Sequence, residues 1–548
     1  MTWKEQIKVF FKGEVEDDAE TLDVYSRDAS VFRMQPRLVV FPRDVDDVRK
    51  LVKFVRKQRE EGHRISITAR AAGTDMGGGP LSTSIVVVLT RHMHKLKFVG
   101  RDYAVVEPGM YYRDFERQTL KHGLIMPSYP ASRELCAVGG MVANNAGGEK
   151  TLAYGKTERY VREVRMVLDD GEEYLFKPLS RTELNVKKRQ QTVEGDVYRK
   201  LAQLVFDHED ELKQAKPHVT KNSTGYALWD VYDRERGVFD ITKVIVGSQG
   251  TLGIITEITF ALVKPREHTR LLVIFLNDMA PLADVVNRVR EFRPESFESY
   301  DDHTFALELK VFPQLVKQLR GNLFSLARKF LPEFKMMLTG GIPKMVLIAE
   351  FAGAAGHEAE VRAREAEAAL ASLKLRTRVT HTKDEGVKYW IMRRESFNVL
   401  RQQLHGLRTV PFIDDFVVRP QVLPKFLPQL YKLLDQEKIT YTIAGHVGDG
   451  NFHIIPLMDM TKPKSVEIIR RLGQQVYDLV LQYKGSMSGE HNDGMIRGPY
   501  LEHMYGNEIY QLFKQTKQIF DPHHIFNPHK KSEVNASFAW AHLDTGVH

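Results

Sequence analysis

Cysteine is almost absent from this chain. Among 548 residues there is one cysteine, Cys136. A single thiol excludes an intramolecular disulfide framework, a cysteine-rich zinc site and a cysteine-ligated iron–sulfur cluster. Any redox chemistry must therefore use a bound cofactor, and any metal must be held by His, Asp or Glu.

Long apolar runs are also missing. No stretch of about 18 uninterrupted apolar residues occurs, so the sequence predicts no transmembrane helix. The segment Met1 to Asp18 alternates lysines with acidic residues and lacks the apolar core of a secretory signal. We therefore expect a cytoplasmic protein.

The overall composition is that of a globular protein. Hydrophobic residues make up 43% of the chain and charged residues 27%, which excludes a disordered or fibrous chain. The length suggests roughly two to four domains. With 79 Lys+Arg against 71 Asp+Glu, the net charge of +8 is modest. Since no nucleic-acid-binding motif accompanies that charge, we expect no nucleic-acid partner.

Much of the net charge lies in one segment. Lys310 to Lys344 contains seven basic residues and one acidic residue, mixed with many Leu, Phe and Met residues. Basic and large apolar residues on one helix are typical of a segment that lies on a membrane surface. A solvated basic face of an ordinary helix explains the pattern equally well. The first interpretation predicts peripheral contact with the cytoplasmic face of the membrane.

The region before about Pro265 alternates strand and helix patterns. Pro36–Val40, Arg64–Thr68 and Ile85–Leu89 read as strands, and apolar residues recur at helical spacing from Val45 to Val55. This alternation predicts α/β or α+β layers.

From about Arg266 to Tyr510 the pattern suggests a second domain. Arg270–Phe275 and Met345–Phe351 read as strands, and Glu358–Leu373 as an exposed helix. The last dozen residues read as a loose tail.

Three glycine-rich segments occur in the first half: Ala69–Pro80, Ala137–Gly148 and Gly247–Phe260. Glycine permits close backbone approach, and free N–H groups suit phosphate oxygens. Three ordinary turns remain the alternative. None of the segments matches a P-loop or a Rossmann fingerprint, so a bound nucleotide would have to be held in another way.

The segment Gly445–His453 (GHVGDGNFH) carries two histidines around a Gly/Asp/Asn turn, which predicts a hairpin with His446 and His453 on one face. About forty residues later comes SGEHNDG, which contains Glu490. Two histidines and one carboxylate are typical of an open metal site. A polar surface turn is the alternative, and the oxygen-ligand pattern of an EF-hand is absent.

Five ordered motifs together resemble a known family. They are PRLVVFPRDVDDV, RAAGTDMGGGPL, PASRELCAVGGMVANNAGGEKTLAYGKT, GSQGTLGIITE, and the pair GHVGDGNFH with GEHNDG. From Tyr25 to Lys531 the chain resembles the FAD-linked D-2-hydroxy-acid dehydrogenases of the vanillyl-alcohol-oxidase flavoprotein group. Through WIMRRESFN (Trp390–Asn398) it is most similar to the D-lactate dehydrogenase branch.

The resemblance implies an α+β fold in three stretches. Residues 1–265 would form a two-subdomain FAD-binding domain of the p-cresol methylhydroxylase (PCMH) type. Residues 266–510 would form an α+β cap domain with an antiparallel sheet and the metal site. Residues 511–548 would return to the FAD domain.

The resemblance also implies a set of cofactor-binding residues. These are Arg70, Ala71, Ala72, Gly73, Thr74, Asp75, Gly77, Gly78, Pro130, Ser132, Gly139, Gly140, Asn144, Ala146, Gly147, Tyr154, Gly155, Gly250, Thr251, Ile254 and Asn527. The loop reads Gly73-Thr74-Asp75 where some relatives carry a histidine linked to flavin, so the implied FAD is non-covalent. Cys136 is expected to be a small packing residue.

The implied reaction is oxidation of a small D-2-hydroxy acid to a 2-oxo acid, with hydride transfer to flavin N5. A divalent metal, zinc by resemblance, would lie on His446, His453 and Glu490. His491 would be the general base. Arg393 would bind the substrate carboxylate, with the adjacent Arg394 as the competing assignment, and Asn451 would orient the substrate.

Several alternatives stay open. D-Lactate is the favoured substrate, with D-2-hydroxyglutarate and glycolate as alternatives. A non-redox flavoenzyme of the alkyl-dihydroxyacetonephosphate synthase type and an inactive metal- or nucleotide-binding module are the other classes. A quinone, an electron-transfer protein, a partner subunit or oxygen would accept the electrons.

Overall fold

The structure, a computed structural model, describes residues 1–302, 342–382, 385–387, 389–390, 393 and 406–546. Most of the basic segment Lys310 to Lys344 lies outside the described residues, so its membrane contact stays a prediction. At its end, Lys344 pairs with Asp302 at 2.7 Å. Arg394 also lies outside the described residues.

The α-helices of the described residues are α1 (Trp3–Lys8), α2 (Ala19–Val24), α3 (Val45–Glu60), α4 (Tyr112–Leu120), α5 (Val138–Asn144), α6 (Thr151–Tyr154), α7 (Arg181–Arg189), α8 (Val193–Asp207), α9 (Glu209–Ala215), α10 (Thr242–Ile245), α11 (Leu282–Glu291), α12 (Gly356–Ala369), α13 (Leu423–Gln436), α14 (Pro463–Gln482), α15 (Leu501–Phe520) and α16 (Ala536–Ala541). Among them, none combines the length and the apolar composition needed to span a bilayer.

The strands are β1 (Glu14–Glu16), β2 (Leu38–Phe41), β3 (Ile67–Arg70), β4 (Ile85–Val88), β5 (Leu96–Val99), β6 (Tyr103–Val106), β7 (Val161–Val167), β8 (Glu173–Phe176), β9 (Leu179–Ser180), β10 (Tyr232–Asp233), β11 (Val238–Phe239), β12 (Ile254–Ala261), β13 (His268–Leu276), β14 (Ser296–Asp301), β15 (Met345–Gly353), β16 (Arg376–Val379), β17 (Arg408–Thr409), β18 (Ile413–Val417), β19 (Thr440–His446) and β20 (Asn451–Met458).

The first sheet has the strand order β1-β2-β4-β3, with β4 parallel to both β2 and β3. Helix α3 connects β2 to β3, as the apolar spacing predicts. It begins where the Asp44 side chain accepts a hydrogen bond from the Asp47 N–H, and it buries Val48, Leu51 and Val55. Strand β3 runs on to Arg70, past its predicted end, because its pairing with β4 continues to that residue.

The C-terminal segment lies beside this first sheet. The Ile67 N–H donates to the Ile525 carbonyl at 2.7 Å, and the Asn527 N–H donates to the Ile67 carbonyl at 2.8 Å. Phe526 is fully buried among the apolar residues of the sheet and α3. These contacts agree with the implied return of the C-terminal stretch, whose domain limits remain a prediction.

The expectation of a loose tail is wrong. Residues 536–541 form α16, and Phe32 and Leu543 form a β-bridge. Asp544 pairs with Arg408 at 2.8 Å. The apolar and charged side chains of the tail therefore have partners elsewhere in the fold, which explains its order.

A second sheet in the first half has the order β5-β6-β12-β7-β8 and is antiparallel throughout. Helices α4, α5 and α8 pack on it, and α15 contributes Phe513 and Phe520 to the same core. The C-terminal part of the chain thus packs against this sheet as well as the first one. A third, short antiparallel sheet in the first half has the order β10-β11-β9.

The largest sheet has eight strands in the order β16-β13-β15-β14-β19-β20-β17, and β18 also pairs with β20. Every pairing in it is antiparallel. The predicted strands Arg270–Phe275 and Met345–Phe351 form β13 and β15. Helix α12 begins two residues before its predicted start, where Glu358 accepts hydrogen bonds from the Ala354 and Ala355 N–H groups. The α+β prediction with an antiparallel sheet in the second half is confirmed.

Phe526→Ala is expected to lower the free energy of unfolding by about 3–5 kcal/mol, because it leaves a cavity where the C-terminal segment meets the first sheet. Denaturant unfolding measures the change. The control is Phe98→Ala, since Phe98 is 52% exposed and its loss should have little effect. Equal stabilities of the two variants would contradict a packing role for Phe526.

Candidate functional site

An open cavity lies where the three glycine-rich segments meet. Its wall is formed by Ala69, Ala71, Ala72, Gly73, Thr74, Asp75, Gly79, Pro80, Leu89, Pro108, Ala137, Gly139, Gly140, Ala143, Asn144, Gln249, Gly250, Gly253 and Ile255. The segments thus converge on one space, which supports the binding interpretation over three unrelated turns.

Many of the cofactor residues implied by resemblance lie on this wall. They are Ala71, Ala72, Gly73, Thr74, Asp75, Gly139, Gly140, Asn144 and Gly250. The other implied residues do not line the cavity: Arg70, Gly77, Gly78, Pro130, Ser132, Ala146, Gly147, Tyr154, Gly155, Thr251, Ile254 and Asn527. Sequence reasoning missed Leu89 and Pro108, which come from outside the glycine-rich segments.

Asp75 organises the first of these segments. Its Oδ1 accepts hydrogen bonds from the Gly77 N–H at 2.6 Å and the Gly79 N–H at 3.0 Å. Its Oδ2 accepts one from Asn144 Nδ2 at 2.7 Å. A carboxylate that holds its own loop and reaches the neighbouring helix α5 shapes the cavity from two sides.

Asn527 connects the C-terminal segment to two cavity loops. Its Nδ2 donates to the Gly79 carbonyl at 2.9 Å and to the Gln249 carbonyl at 2.7 Å. Arg70 has a similar bracing position, since its Nη2 donates to the Arg27 carbonyl at 2.7 Å. Both side chains therefore hold cavity loops in place.

Cys136 lies away from the cavity wall. It is buried, and burial raises the pKa of its thiol to about 12. An inaccessible, protonated thiol agrees with the packing role that we expect for Cys136.

The predicted hairpin is confirmed, with β19 and β20 joined by a tight turn. His446 pairs with Asn451, and Ala444 pairs with His453. The two imidazole rings are 5.1 Å apart and nearly perpendicular. Gly450 has φ of +68°, and a Cβ there would lie 1.8 Å from the Val418 carbonyl oxygen, so this turn requires glycine.

Glu490 meets both histidines of the hairpin. Its Oε1 lies 3.0 Å from His446 Nε2 and 3.4 Å from His453 Nε2. The Nδ1 atoms face away, His446 Nδ1 lying 2.7 Å from Glu298 and His453 Nδ1 lying 2.6 Å from the Asp414 carbonyl oxygen. These contacts aim both Nε2 atoms at one carboxylate oxygen.

Two aspartates that sequence reasoning missed support this arrangement. Asp415 Oδ2 accepts hydrogen bonds from the N–H groups of Glu490 at 2.9 Å and His491 at 2.7 Å. Asp414 Oδ2 lies 2.8 Å from His491 Nδ1, and its other oxygen pairs with buried Arg497. Adjacent aspartates inside the apolar strand FIDDFV were a usable indication of a buried charged site.

His491 stacks on His453, with ring centroids 5.1 Å apart. A second donor set therefore overlaps the predicted one: Asp415, His453, Glu490 and His491 have ligand-type atoms within 4.8 Å of one another. His453 and Glu490 belong to both sets.

Asn451 and Arg393, the two residues predicted to contact the substrate, lie next to the cluster, and each contacts one of its carboxylates. Asn451 Nδ2 donates to Asp415 Oδ1 at 3.1 Å. Arg393 Nη2 lies 3.2 Å from Glu298 Oε2. Their roles towards a substrate stay predictions.

The cluster carries more negative than positive charge. Its carboxylates are Glu298, Asp414, Asp415, Asp449 and Glu490, and the cations that pair with them among the described residues are Lys221, Arg393 and Arg497. With three permanent cations beside five carboxylates, the histidines are the remaining described groups that can compensate the negative charge.

The pKa values of the histidines reflect the neighbouring carboxylates and the burial of the rings. Burial opposes the charged form of His446, but Glu298 and Glu490 outweigh it and raise the pKa to about 9. Burial likewise opposes the charged form of His491, and Asp415 and Asp414 raise its pKa to about 9. Burial lowers the pKa of His453, which favours the neutral imidazole that metals bind.

Two distances within the predicted donor set suit a first-row divalent metal, whereas the ligand-type atoms that all lie within 4.8 Å of one another belong to Asp415, His453, Glu490 and His491 and do not include His446. Ligand atoms about 2.1 Å from one ion lie about 3.0 to 3.4 Å apart at tetrahedral or octahedral angles. The distances from Glu490 Oε1 to the two Nε2 atoms, 3.0 and 3.4 Å, fall in that range. The observed groups, two imidazoles and one carboxylate, also suit zinc.

One loop joins the cluster to the cavity. Asn492 Nδ2 donates to the Asn144 carbonyl at 3.2 Å and to the Gly247 carbonyl at 2.9 Å. The Met495 N–H donates to the Gly77 carbonyl at 2.8 Å. The segment that carries Glu490 and His491 therefore packs on all three glycine-rich segments.

Purified protein is expected to bind one zinc ion per chain, and His446→Ala is expected to abolish this binding. Glu298→Gln should weaken zinc affinity about 10- to 100-fold, because the carboxylate that orients His446 is lost. Competition with a chromophoric chelator measures the affinity. The control is His503→Ala, a surface histidine 2.8 Å from Asp478. Zinc bound equally by wild type and His446→Ala would contradict the site.

Two family profiles match the chain. An FAD binding domain matches residues 36–175, and the C-terminal domain of FAD linked oxidases matches residues 265–531. Together they include the cavity segments around Asp75 and Asn144, and the whole histidine–carboxylate cluster except Lys221.

Curated relatives match along almost the whole chain. A D-2-hydroxyglutarate dehydrogenase of Pseudomonas putida is 28% identical, covering 95% of this chain and 50% of that protein. The glycolate oxidase subunit GlcD of Bacillus subtilis is 25% identical, covering 92% and 91%. A D-lactate dehydrogenase of Archaeoglobus fulgidus is 25% identical, covering 93% and 95%. The chain spans about half the length of the first of these relatives.

Solved structures share the fold. 4-Ethylphenol oxidase from Gulosibacter chungangensis superimposes with a TM-score of 0.67 at 15% identity, covering 96% of this chain and 95% of that one. An alkyldihydroxyacetonephosphate synthase gives a TM-score of 0.64 at 16% identity, covering 96% and 84%. Both profiles, in this order, and the relatives agree on one assignment: the chain belongs to the FAD-linked oxidases, in the family of the D-2-hydroxy-acid dehydrogenases.

Proposed function

We propose that this protein oxidises a small D-2-hydroxy acid to the 2-oxo acid, with the help of FAD and a divalent metal. The observation that carries the proposal is the contact between two sites. The loop that holds Glu490 and His491 packs directly on the segments that form the cavity. Substrate held at the cluster would therefore lie next to a cofactor held in the cavity.

FAD would occupy the cavity without a covalent link. When bound, it supplies a two-electron acceptor for the hydride that leaves the substrate C2 atom. A zinc ion held by His446, His453 and Glu490 would supply a Lewis acid for the substrate hydroxyl group and carboxylate. The chain's own residues would bind both groups, exclude water and handle the proton.

His491 would receive the hydroxyl proton. Its Nδ1 is held by Asp414 at 2.8 Å, which leaves Nε2 free to act as the base. Arg497 pairs with Asp414 and is fully buried, so the orienting carboxylate is itself held in place. His491 would thus hold the hydroxyl proton while the substrate is oxidised to the 2-oxo acid.

Arg393 would bind the substrate carboxylate, and Asn451 would orient the substrate. Arg393 already faces the carboxylate of Glu298 at 3.2 Å, so a substrate carboxylate would add a second anionic partner. Asn451 would act chiefly by fixing Asp415, to which it donates.

We propose D-lactate as the substrate, with D-2-hydroxyglutarate and glycolate as the other candidates. The WIMRRESFN motif supports D-lactate, and the relatives include dehydrogenases of D-lactate and of D-2-hydroxyglutarate. A non-redox ether synthase shares the fold, but fold likeness alone does not favour that chemistry.

A quinone or an electron-transfer protein is our proposed electron acceptor. The sequence has one cysteine and so cannot ligate an iron–sulfur cluster on its own. Peripheral membrane contact through Lys310 to Lys344 would fit a quinone, and we keep it as a proposal.

D-Lactate is expected to bleach the flavin absorbance of the purified protein under anaerobic conditions. D-2-Hydroxyglutarate and glycolate tested alongside rank the three candidates, and L-lactate is the control. Metal removal with a chelator should abolish bleaching, and zinc should restore it, because the hydroxyl group loses its Lewis acid. No bleaching by any 2-hydroxy acid, or bleaching that survives complete metal removal, would contradict the proposal.

His491→Asn is expected to lower kcat about 10²- to 10⁴-fold, the range for loss of a general base. Zinc content should stay at the wild-type level, since His491 is proposed as a base and not as a ligand. Loss of zinc in this variant would instead assign His491 to the overlapping donor set. Steady-state kinetics with a dye acceptor and metal analysis distinguish these results.

A further inference from the structure

The segment Thr220–Gly225 lies along the metal-binding loops, although it belongs to the first half of the chain. Thr220 Oγ1 donates to the Asp449 carbonyl at 2.6 Å, and the Ser223 N–H donates to the Ser488 carbonyl at 2.9 Å. The Gly225 N–H donates to Asp493 Oδ2 at 2.9 Å. These bonds fix the segment against both the hairpin turn and the loop of Glu490.

Lys221 is the charged residue of this segment, and its side chain is completely buried. Its Nζ lies 3.3 Å from Glu490 Oε2, 3.3 Å from Asp449 Oδ2 and 3.5 Å from Asn451 Oδ1. A buried ammonium group is stable only with such partners. The ordinary interpretation is that Lys221 only compensates the negative charge of these carboxylates. For that role, either oxygen of Glu490 could face Lys221.

The two oxygens of Glu490 have different partners. Oε1 faces His446 Nε2 and His453 Nε2, whereas Oε2 faces Lys221. Gly147 leaves space next to Oε2, because a Cβ at this position would lie 2.9 Å from that oxygen.

We propose that Lys221 is a positioning residue that keeps Glu490 a one-oxygen ligand. By binding Oε2, it leaves only Oε1 for the metal and so keeps a coordination position open for substrate. This inference rests on the proposed function, because it concerns the same metal site. It adds a residue from the FAD-binding half of the chain to the control of that site.

Zinc K-edge X-ray absorption of the zinc-loaded holoenzyme tests this role. In Lys221→Met, Oε2 loses its partner, and the zinc coordination number is expected to rise by about one. Zinc affinity should stay within threefold of wild type or become tighter, while kcat falls about 10- to 100-fold. Lys221→Gln keeps an N–H donor for Oε2, so we expect the wild-type coordination number.

Lys156→Met is the matched control. Lys156 is also buried and holds the same segment, since its Nζ donates to the Asn222 carbonyl at 2.7 Å and to Ser223, but it contacts no proposed ligand. This variant is expected to be less stable in thermal unfolding, with zinc coordination unchanged.

An unchanged coordination number in Lys221→Met, in an enzyme that binds zinc and oxidises a 2-hydroxy acid, would overturn the Lys221 role alone. A raised number in Lys221→Gln, or in Lys156→Met, would also overturn it, and these variants decide the matter if Lys221→Met does not fold. A wild-type holoenzyme that binds no zinc would overturn the proposed metal site together with this inference.

Discussion

The buried carboxylate of Asp415 is the group on which the site depends. It lies on a strand between apolar residues and is inaccessible to water, so its charge must be met by hydrogen-bond donors. The donors are backbone N–H groups of Glu490 and His491, the Ser488 hydroxyl group and Asn451. Burial opposes ionisation, but His491 and Arg497 outweigh it and hold the pKa of Asp415 at about 2. The charge of Asp415 thus holds in place the loop that carries the proposed ligand Glu490 and the proposed base His491.

That loop also determines how the two halves of the chain meet. Its far end, from Asn492 to Met495, is bound to the glycine-rich segments, and Gly494 makes the contact possible because a Cβ there would lie 2.2 Å from the Gly77 carbonyl oxygen. Buried Lys531 adds a second connection, since its Nζ lies 2.6 Å from Asp493. Cofactor cavity and histidine cluster are therefore parts of one hydrogen-bonded assembly, and a shift in either would be transmitted through a few residues.

The sequence predicts the elements and names candidate ligands, but it does not reveal the residues that hold those candidates in place. Periodicity identifies α3, β13, β15 and the hairpin, because each is specified by neighbours along the chain. His446 and His453 are recognisable as a pair since the hairpin turn between them brings them together. Glu298, Arg497 and Lys221 act only through contacts between residues far apart in sequence, and a single charged residue in an ordinary sequence context does not reveal such a contact. The ordered tail escaped prediction for the same reason, because the partners of Leu543 and Asp544 are Phe32 and Arg408.

The balance between carboxylates and cations in the cluster bears on its proposed function. If the cluster served only to stabilise the fold, an equal number of carboxylates and cations would suffice, and an excess of buried negative charge would destabilise the folded chain. The excess instead raises the pKa of His446 and His491, so that in the absence of a metal protons occupy the cluster. In the proposed site, a divalent cation would compete with protons for the ligands, and His491 would have to be neutral to accept the proton that substrate oxidation releases. Under the proposed function, the same buried carboxylates would orient the metal-binding histidines and set the proton affinity of the base beside them.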